Sequence, residues 1–531
     1  MIFRDGTNLK ASYNTQPVLR ICAERESHEF KDIQVGPPLL PMAGRKYDFS
    51  LLREWLDECG RGHSRFGCRE PPGEHGTRFL PTRVLDLEYW QNGGLIRLHC
   101  TQESNCYEYV ALSHCWGAPS EDEWEAVCTH GGNFEMRCHK IVFADLPRTF
   151  QDAVIATRKL GKRYLWIDSL CIIQRDEEDW EKESALMESV FSSAYCTISA
   201  TSARTFNDGF LLARPDQDCI PVPNAPQAAG PLWLSETVDN FHADVEEGPV
   251  NRRGWVLQER VLSRRTIYFT KNQIYFECGG GVRCETMTWL WNPRAALLGD
   301  AQFPDAILKR DPADRIAPLQ TLFEAYTAMN LTVATDRSVA ISGLERRLAS
   351  GFEGIAAYGA LECYIHRSLL WQRTGETPLR RIKYPGKRSI PSWSWMAYDG
   401  AIQYLDVPKE GIEWNHFVSF APARNLIAST PENNRVSINE LKVGVSALCV
   451  TEIQKDHSGM TLDNPGATDF GELACVVIGR SITSGGSRGG DVELYVLFVR
   501  SVFMDGYQRV GAGRIQESHL ATKGPIAGRI V

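Results

Sequence analysis

The alternation of segments between residues 107 and 200 constrains this chain more than any other feature. Tyr107–Leu112, Tyr164–Asp168 and Tyr195–Ala200 are short apolar runs of strand length. Two stretches of helical periodicity separate them. In the first, Phe150, Ala153, Val154 and Leu160 share a face; Asp145 is placed to cap the helix, Pro147 to enter its first turn and Gly161 to end it. In the second, the acidic run Asp176–Asp179 suits the positive end of a helix whose face is Trp180, Met187, Phe191 and Ala194. Connections of this length demand crossovers, so the predicted core is an α/β fold with a mainly parallel sheet flanked by helices.

The rest of the chain is less regular. Residues 1 to about 45 read as polar and loop-like, with a break at Pro37-Pro38 and Pro41. Residues 48–59 have helical spacing, with Leu51, Leu52, Trp55 and Leu56 on one face. Residues 60–80 read as a connector, Leu95–Leu98 as a strand and Pro119–Lys140 as an irregular insert. Beyond a proline-rich loop at Pro215–Pro231, Arg252–Leu262 reads as a helix, and Thr266–Phe269 and Gln273–Cys278 as strands. Residues 306–373 look mostly helical; from 389 the pattern is β-rich, with a Gly/Ser loop at Ser484–Gly490. A chain of 531 residues exceeds one ordinary core. The expected regions are an N-terminal lead-in (1–93), a central α/β domain (94–290) and a mixed helical, then β-rich region (291–531).

Composition excludes several functions. The net charge is −8 and no long Lys/Arg block occurs, so no nucleic-acid partner is expected. Arg252, Arg253, Arg260, Arg264 and Arg265 read as a solvated helix face. No stretch approaches the roughly 20 apolar residues of a membrane span, and the first residues lack the apolar run of a secretory signal. The sixteen cysteines are therefore expected as reduced thiols in the cytosol or nucleus, and the chain is expected to be cytoplasmic. There is no P-loop, HExxH, GxSxG or kinase signature, and the glycine clusters at 279–281 and 485–490 do not join a strand to a helix. Cys59, His63, Cys68 and His75 have ligand chemistry for zinc, but no CxxC pair and loose spacing; they read as a packed helix end beside a thiol, with no metal expected. Nothing near Cys115 or Cys171 marks an activated nucleophile.

Three segments resemble the signature blocks of the HET (heterokaryon incompatibility) domain, in that family's order: Tyr109–Gly117 (YVALSHCWG), Leu165–Gln174 (LWIDSLCIIQ) and Arg253–Arg260 (RGWVLQER). Further segments are similar to parts of the family outside the domain: Trp55–Cys59 with His63 and Cys68, Leu80–Arg83, Pro391–Trp395 and Tyr507–Gly511. The resemblance implies a role in fungal self/non-self recognition that triggers programmed cell death. Some members sit in metabolic gene clusters, which makes an accessory role in such a cluster one alternative.

HET domains are distantly similar to TIR domains, which have a flavodoxin-like sheet, and some TIR domains hydrolyse NAD with a helix-borne glutamate. That likeness implies Glu259 and Asp168 as catalytic groups. Ser113, His114, Trp116, Trp255 and Arg253 would bind the substrate, with NAD as that substrate and no resident cofactor. A carboxylate beneath the ribose stabilises the oxocarbenium-like charge of nicotinamide cleavage. Trp116 or Trp255 offers a face to the cationic ring, and Arg253 a partner for phosphate. The residues also permit structural roles. Glu259 can pair with Arg260 or Arg264, Asp168 can cap the following loop, His114 can be a packed neutral histidine, and Trp116, Trp166 and Trp255 can be core anchors. A further alternative is a non-catalytic module signalling by homotypic assembly, a homo-oligomer through the HET domain. No nucleotide-binding oligomerisation domain or repeat array is recognisable, so a sensor or allelic partner is expected to be another protein or the C-terminal half.

Overall fold

The computed structural model describes residues 2–5, 8–11, 17–23, 47–62, 68, 79–88, 94–102, 107–214, 219–223, 231–286, 289–290, 298, 300, 302–385, 389–421, 440–449, 451–452, 459–466, 473–482, 492–503, 506–521 and 524–531. The chain forms two compact units, Met1–Phe303 and Pro304–Val531. No described helix is long and apolar enough to cross a membrane.

The first unit opens with strands β1 (Ile2–Asp5), β2 (Asn8–Ala11) and β3 (Pro17–Ala23), then helix α1 (Phe49–Gly62), β4 (Arg83–Asp86), β5 (Leu95–Cys100) and β6 (Tyr109–Ser113). Helices α2 (Glu121–Val127) and α3 (Phe134–His139), strand β7 (Ile141–Val142), α4 (Arg148–Lys159), β8 (Tyr164–Trp166), the one-turn α5 (Asp168–Cys171), α6 (Glu177–Ser193) and β9 (Cys196–Ser199) follow. Strands β10 (Cys219–Pro221) and β11 (Leu232–Glu236), helix α7 (Gly254–Leu262), and β12 (Arg265–Phe269), β13 (Ile274–Cys278), β14 (Gly281–Cys284) and β15 (Trp289–Leu290) complete it.

The main sheet runs β15-β14-β13-β12-β9-β6-β8-β4-β5-β7. Its centre, β12-β9-β6-β8, is parallel, as the strand–helix alternation predicts. The sheet as a whole is mixed and mostly antiparallel, which corrects the expectation of a mainly parallel sheet. The reason lies in the connections. Between β12 and β13, and between β13 and β14, only a few residues intervene; a short turn returns the chain antiparallel, whereas only a long crossover lets it run parallel. In chain order the parallel strands stand second, first, third, fourth across the sheet.

Three other expectations change. Part of the supposed N-terminal loop is β-structure: β3 pairs antiparallel with β11, more than 200 residues away, in a five-stranded sheet β1-β2-β3-β11-β10. The insert at 119–140 holds α2 and α3. The signal was the Ser120/Glu123 capping box, in which the Ser120 hydroxyl accepts from the Glu123 amide and the Glu123 carboxylate from the Ser120 amide. Asp145 does not cap α4; it ends a short 3₁₀ turn, and Pro147 holds the cap position. Gly161 does sit just past the end of that helix, at φ +79°. The α6 start also behaves as its acidic run predicts, with Asp176 accepting from the Asp179 amide at 3.0 Å.

The arginines after residue 252 are not a solvated face. Arg260, Arg264 and Arg265 are buried. Arg260 is held by Glu246 at 2.7 Å and Glu277 at 3.1 Å, and Arg264 donates to the Ser192 carbonyl at 2.7 Å.

In the second unit, helices Ile316–Thr327 and Ser342–Gly351 precede an antiparallel-dominated β region. Leu473–Ser481, Glu493–Phe503, Gly506–Gln516, Ile526–Ile530 and Glu440–Ala447 pair in succession, and the last pairs back onto the first. This closed ring leaves those strands no open edge and surrounds Leu441, Val476, Ile478, Leu497 and Ala512. The Pro391–Trp395 and Tyr507–Gly511 segments are part of the core. Trp393 and Trp395 are buried, and the buried Arg509 pairs with Asp463 at 2.6 Å and lies over the Trp371 ring at 3.2 Å. The Ser484–Gly490 loop lies outside the described residues.

Candidate functional site

The three sequence blocks meet at the carboxyl ends of the parallel strands. Strand β6 ends in Ser113, and the chain turns away through His114-Cys115-Trp116-Gly117, with Gly117 at φ +75°. A side chain there is strained by that φ, and a Cβ would stand 2.8 Å from Thr205 Cγ2. Strand β8 leads into Asp168, the first residue of α5. Helix α7, from the third block, carries Trp255 and Glu259.

Asp168 ties the first two blocks together. Its Oδ2 accepts from Trp116 Nε1 at 2.8 Å, its Oδ1 accepts from the Ser169 amide at 2.7 Å, and His114 Nδ1 stands 3.8 Å from Oδ1. The third block joins through Arg253, whose guanidinium donates to the His114 carbonyl. His114 is buried edge-on to Phe150, with ring centroids 5.0 Å apart. Burial, only partly opposed by Asp168, lowers its pKa to about 4, so the ring is neutral at neutral pH.

Glu259 is 6% exposed and unusual for a buried acid. Neither arginine next to it in sequence serves it, because Glu246 and Glu277 hold Arg260 while main-chain carbonyls hold Arg264. Burial raises the carboxyl to about 7; the nearby Arg253 and the Ser113 hydroxyl favour ionisation, and Asp168 opposes it. Ser113 is close enough to influence the carboxyl, yet its Oγ makes no hydrogen bond of good geometry. His114 Nε2 and Ser169 Oγ are likewise buried without a hydrogen-bond partner among the described residues. Each such orphan costs about 1–3 kcal/mol, so three at one strand edge are a concentration of unsatisfied polarity.

Thr205 and Val250 pack against this edge. Thr205 abuts Gly117, and Val250 packs with Cys115 and Val256. Trp116, Trp255, Arg253 and Asp168 are half-buried; Ser113, His114 and Glu259 are buried. Trp166 is a core anchor, edge-on to Phe191 at 5.7 Å. Sequence reasoning missed Phe150, Thr205, Val250 and Ser169; only the last lies inside a signature block. Both block cysteines are buried thiols with raised pKa values, Cys171 to about 12, which suits packing and not nucleophilic attack. A separate surface cavity of about 550 Å³ is lined by Trp124, His130, Gln174, Arg175 and Asp176. Of the four residues with zinc-ligand chemistry in the lead-in, Cys59 and Cys68 are described; His63 and His75 lie outside the described residues.

Comparison with known proteins yields one family. The profile described as Heterokaryon incompatibility protein (HET) matches residues 109–259. No curated protein and no solved structure matches the chain. The matched span starts with β6 and ends at Glu259, so it contains the first two blocks, the third as far as Glu259, and every residue placed at the strand edge: a HET domain is found at residues 109–259 of this chain.

Proposed function

We propose that this protein acts in fungal self/non-self recognition by promoting cell death, and that its HET domain does so by hydrolysing NAD at the Glu259 edge. One observation carries the reading. A buried carboxyl raised to about 7 shares its strand edge with Ser113, His114, Asp168, Trp116 and Arg253. Perturbed titratable groups gathered with unsatisfied polar atoms are characteristic of working sites. The order second, first, third, fourth across the parallel centre is that of flavodoxin-like sheets, where ligands bind outside the carboxyl ends of the strands at the switch point. In this sheet that point lies between β6 and β9, beside Ser113.

The chemistry follows from charge. Nicotinamide cleavage builds positive charge at the ribose, and a carboxylate held nearby stabilises it. The cationic pyridinium of NAD would itself draw the Glu259 carboxyl toward its ionised form. Asp168 orients Trp116, whose indole face suits the ring. Arg253 stands beside the carboxyl, where it can meet phosphate oxygens. Substrate access requires a local opening around Glu259, because its side chain is buried.

The test is NAD consumption by the purified full chain, wild type beside Glu259→Ala and Glu259→Gln, over a wide concentration range. The reading expects loss of NAD with wild type only, both variants remaining folded by thermal melting. Consumption that survives both substitutions removes Glu259 from the chemistry. No consumption by wild type, even under crowding that promotes assembly, favours the homotypic signalling module.

A further inference from the structure

The lead-in helix and the antiparallel side of the main sheet share a feature that the HET blocks do not include. Helix α1 lies over β13: Trp55 meets Phe276 at 6.1 Å between ring centroids, and Glu58 pairs with Arg283. Beneath that contact three cysteines from distant parts of the sequence converge. Cys59 is in the last turn of α1, Cys68 follows nine residues later, and Cys278 ends β13. Their Sγ atoms all lie within 4.8 Å of one another, and the residues are 0%, 0% and 4% exposed. None is in a disulfide.

We propose that Cys59, Cys68 and Cys278 bind a structural zinc ion that clamps α1 to the sheet of the HET domain. Three thiolates around zinc, each about 2.3 Å from the metal, stand about 3.8 Å apart in a tetrahedron. Sulfurs that all lie within 4.8 Å of one another are compatible with that spacing, whereas a disulfide requires about 2 Å between two sulfurs.

Two independent features point to a thiolate at this place. The Gly280 amide donates to Cys278 Sγ at 3.4 Å, so a backbone N–H is already turned on the sulfur. The Gly279-Gly280-Gly281 run permits this turn, with Gly281 at φ +114°. The second feature is charge. Zinc with three thiolates carries net −1, and the buried Arg265 guanidinium lies beside the last turn of α1, its Nη1 3.9 Å from where a Cβ on Gly60 would stand; its Nε has no hydrogen-bond partner among the described residues. That arginine would offset the charge of the loaded site. Three protons leave the thiols as the metal binds. A fourth ligand completes the tetrahedron.

The experiment measures zinc by mass spectrometry in the full chain, purified reduced and without a histidine tag, beside Cys59→Ser, Cys278→Ser and the exposed control Cys363→Ser. The expected result is about one zinc ion per chain in wild type and control, lost in the two site variants, with a lower melting temperature on chelation. Zinc retained by a folded Cys278→Ser overturns the proposal. So does a folded wild type that takes up no zinc when dialysed against it, or a disulfide among the three found by alkylation before reduction. Where the serine variants do not fold, cobalt exchange into wild type decides. Tetrahedral cobalt–thiolate absorption supports the site, and its absence overturns it.

Discussion

Replacing Glu259 by glutamine should make the protein more stable above neutral pH, by an amount that follows from its surroundings. The carboxyl is raised from 4.5 to about 7 because it is buried. Between those values it is protonated in the fold and ionised in the unfolded chain, so the fold loses stability as pH rises through this window and stays lower above it. At about 1.4 kcal/mol per pH unit the loss is about 3 kcal/mol. Glutamine keeps the shape and never ionises. Its advantage over wild type should vanish well below pH 4.5, where wild type is protonated in both states, grow through the window and reach about 3 kcal/mol by pH 8.

His114 makes the comparison sharper. Its pKa falls from 6.5 to about 4, so the stability it contributes is present above 6.5 and is lost as pH falls toward 4. In the overlapping window unfolding releases a proton from Glu259 and takes one up at His114. Their contributions to the pH dependence of wild type therefore largely cancel. Glu259→Gln should unmask a rising stability from pH 4 to 6.5, and His114→Gln a falling one from 4.5 to 7. Urea or thermal unfolding of the three proteins across pH 4 to 8 measures both slopes; about 3 kcal/mol corresponds to about 5 °C for a unit of this size. A glutamine variant no more stable than wild type at pH 8, or a difference that does not vary with pH, refutes the reasoning. An acid kept where a neutral isostere is more stable is an acid retained for something other than folding.

Two further perturbations test the framework around the site. Gly117→Ala puts a Cβ at a φ of +75° and 2.8 Å from Thr205 Cγ2; it should lower stability by about 1–3 kcal/mol in thermal melting and loosen the chain around Thr205 to limited proteolysis. Arg260→Ala should cost about 3–5 kcal/mol in urea unfolding, since Glu246 and Glu277 would be left as buried acids without their cation; an effect below about 1 kcal/mol would show that the pair is solvated.

The sequence by itself determined the elements whose reasons are local. The periodic faces placed α4 and α6, continuous apolar runs placed β6, β8 and β9, and the strand–helix alternation required their parallel pairing. The three blocks identified the HET domain, and the Ser120/Glu123 capping box was legible although the segment read as irregular. Tertiary structure decided whatever depends on distant partners. Strand β3 exists because β11 is there to pair with it, and the sheet is mixed because short turns fold β13 and β14 back beside β12. Burial, a property of the whole fold, turned the arginines of α7 and its C-terminal flank from a presumed solvated face into ion pairs and carbonyl contacts, and raised Glu259 to about 7. The thiol triangle is the clearest case. Cys59 and Cys68 are near neighbours in sequence, but their third member arrives from more than 200 residues away, and only the docking of α1 on β13 brings it within reach.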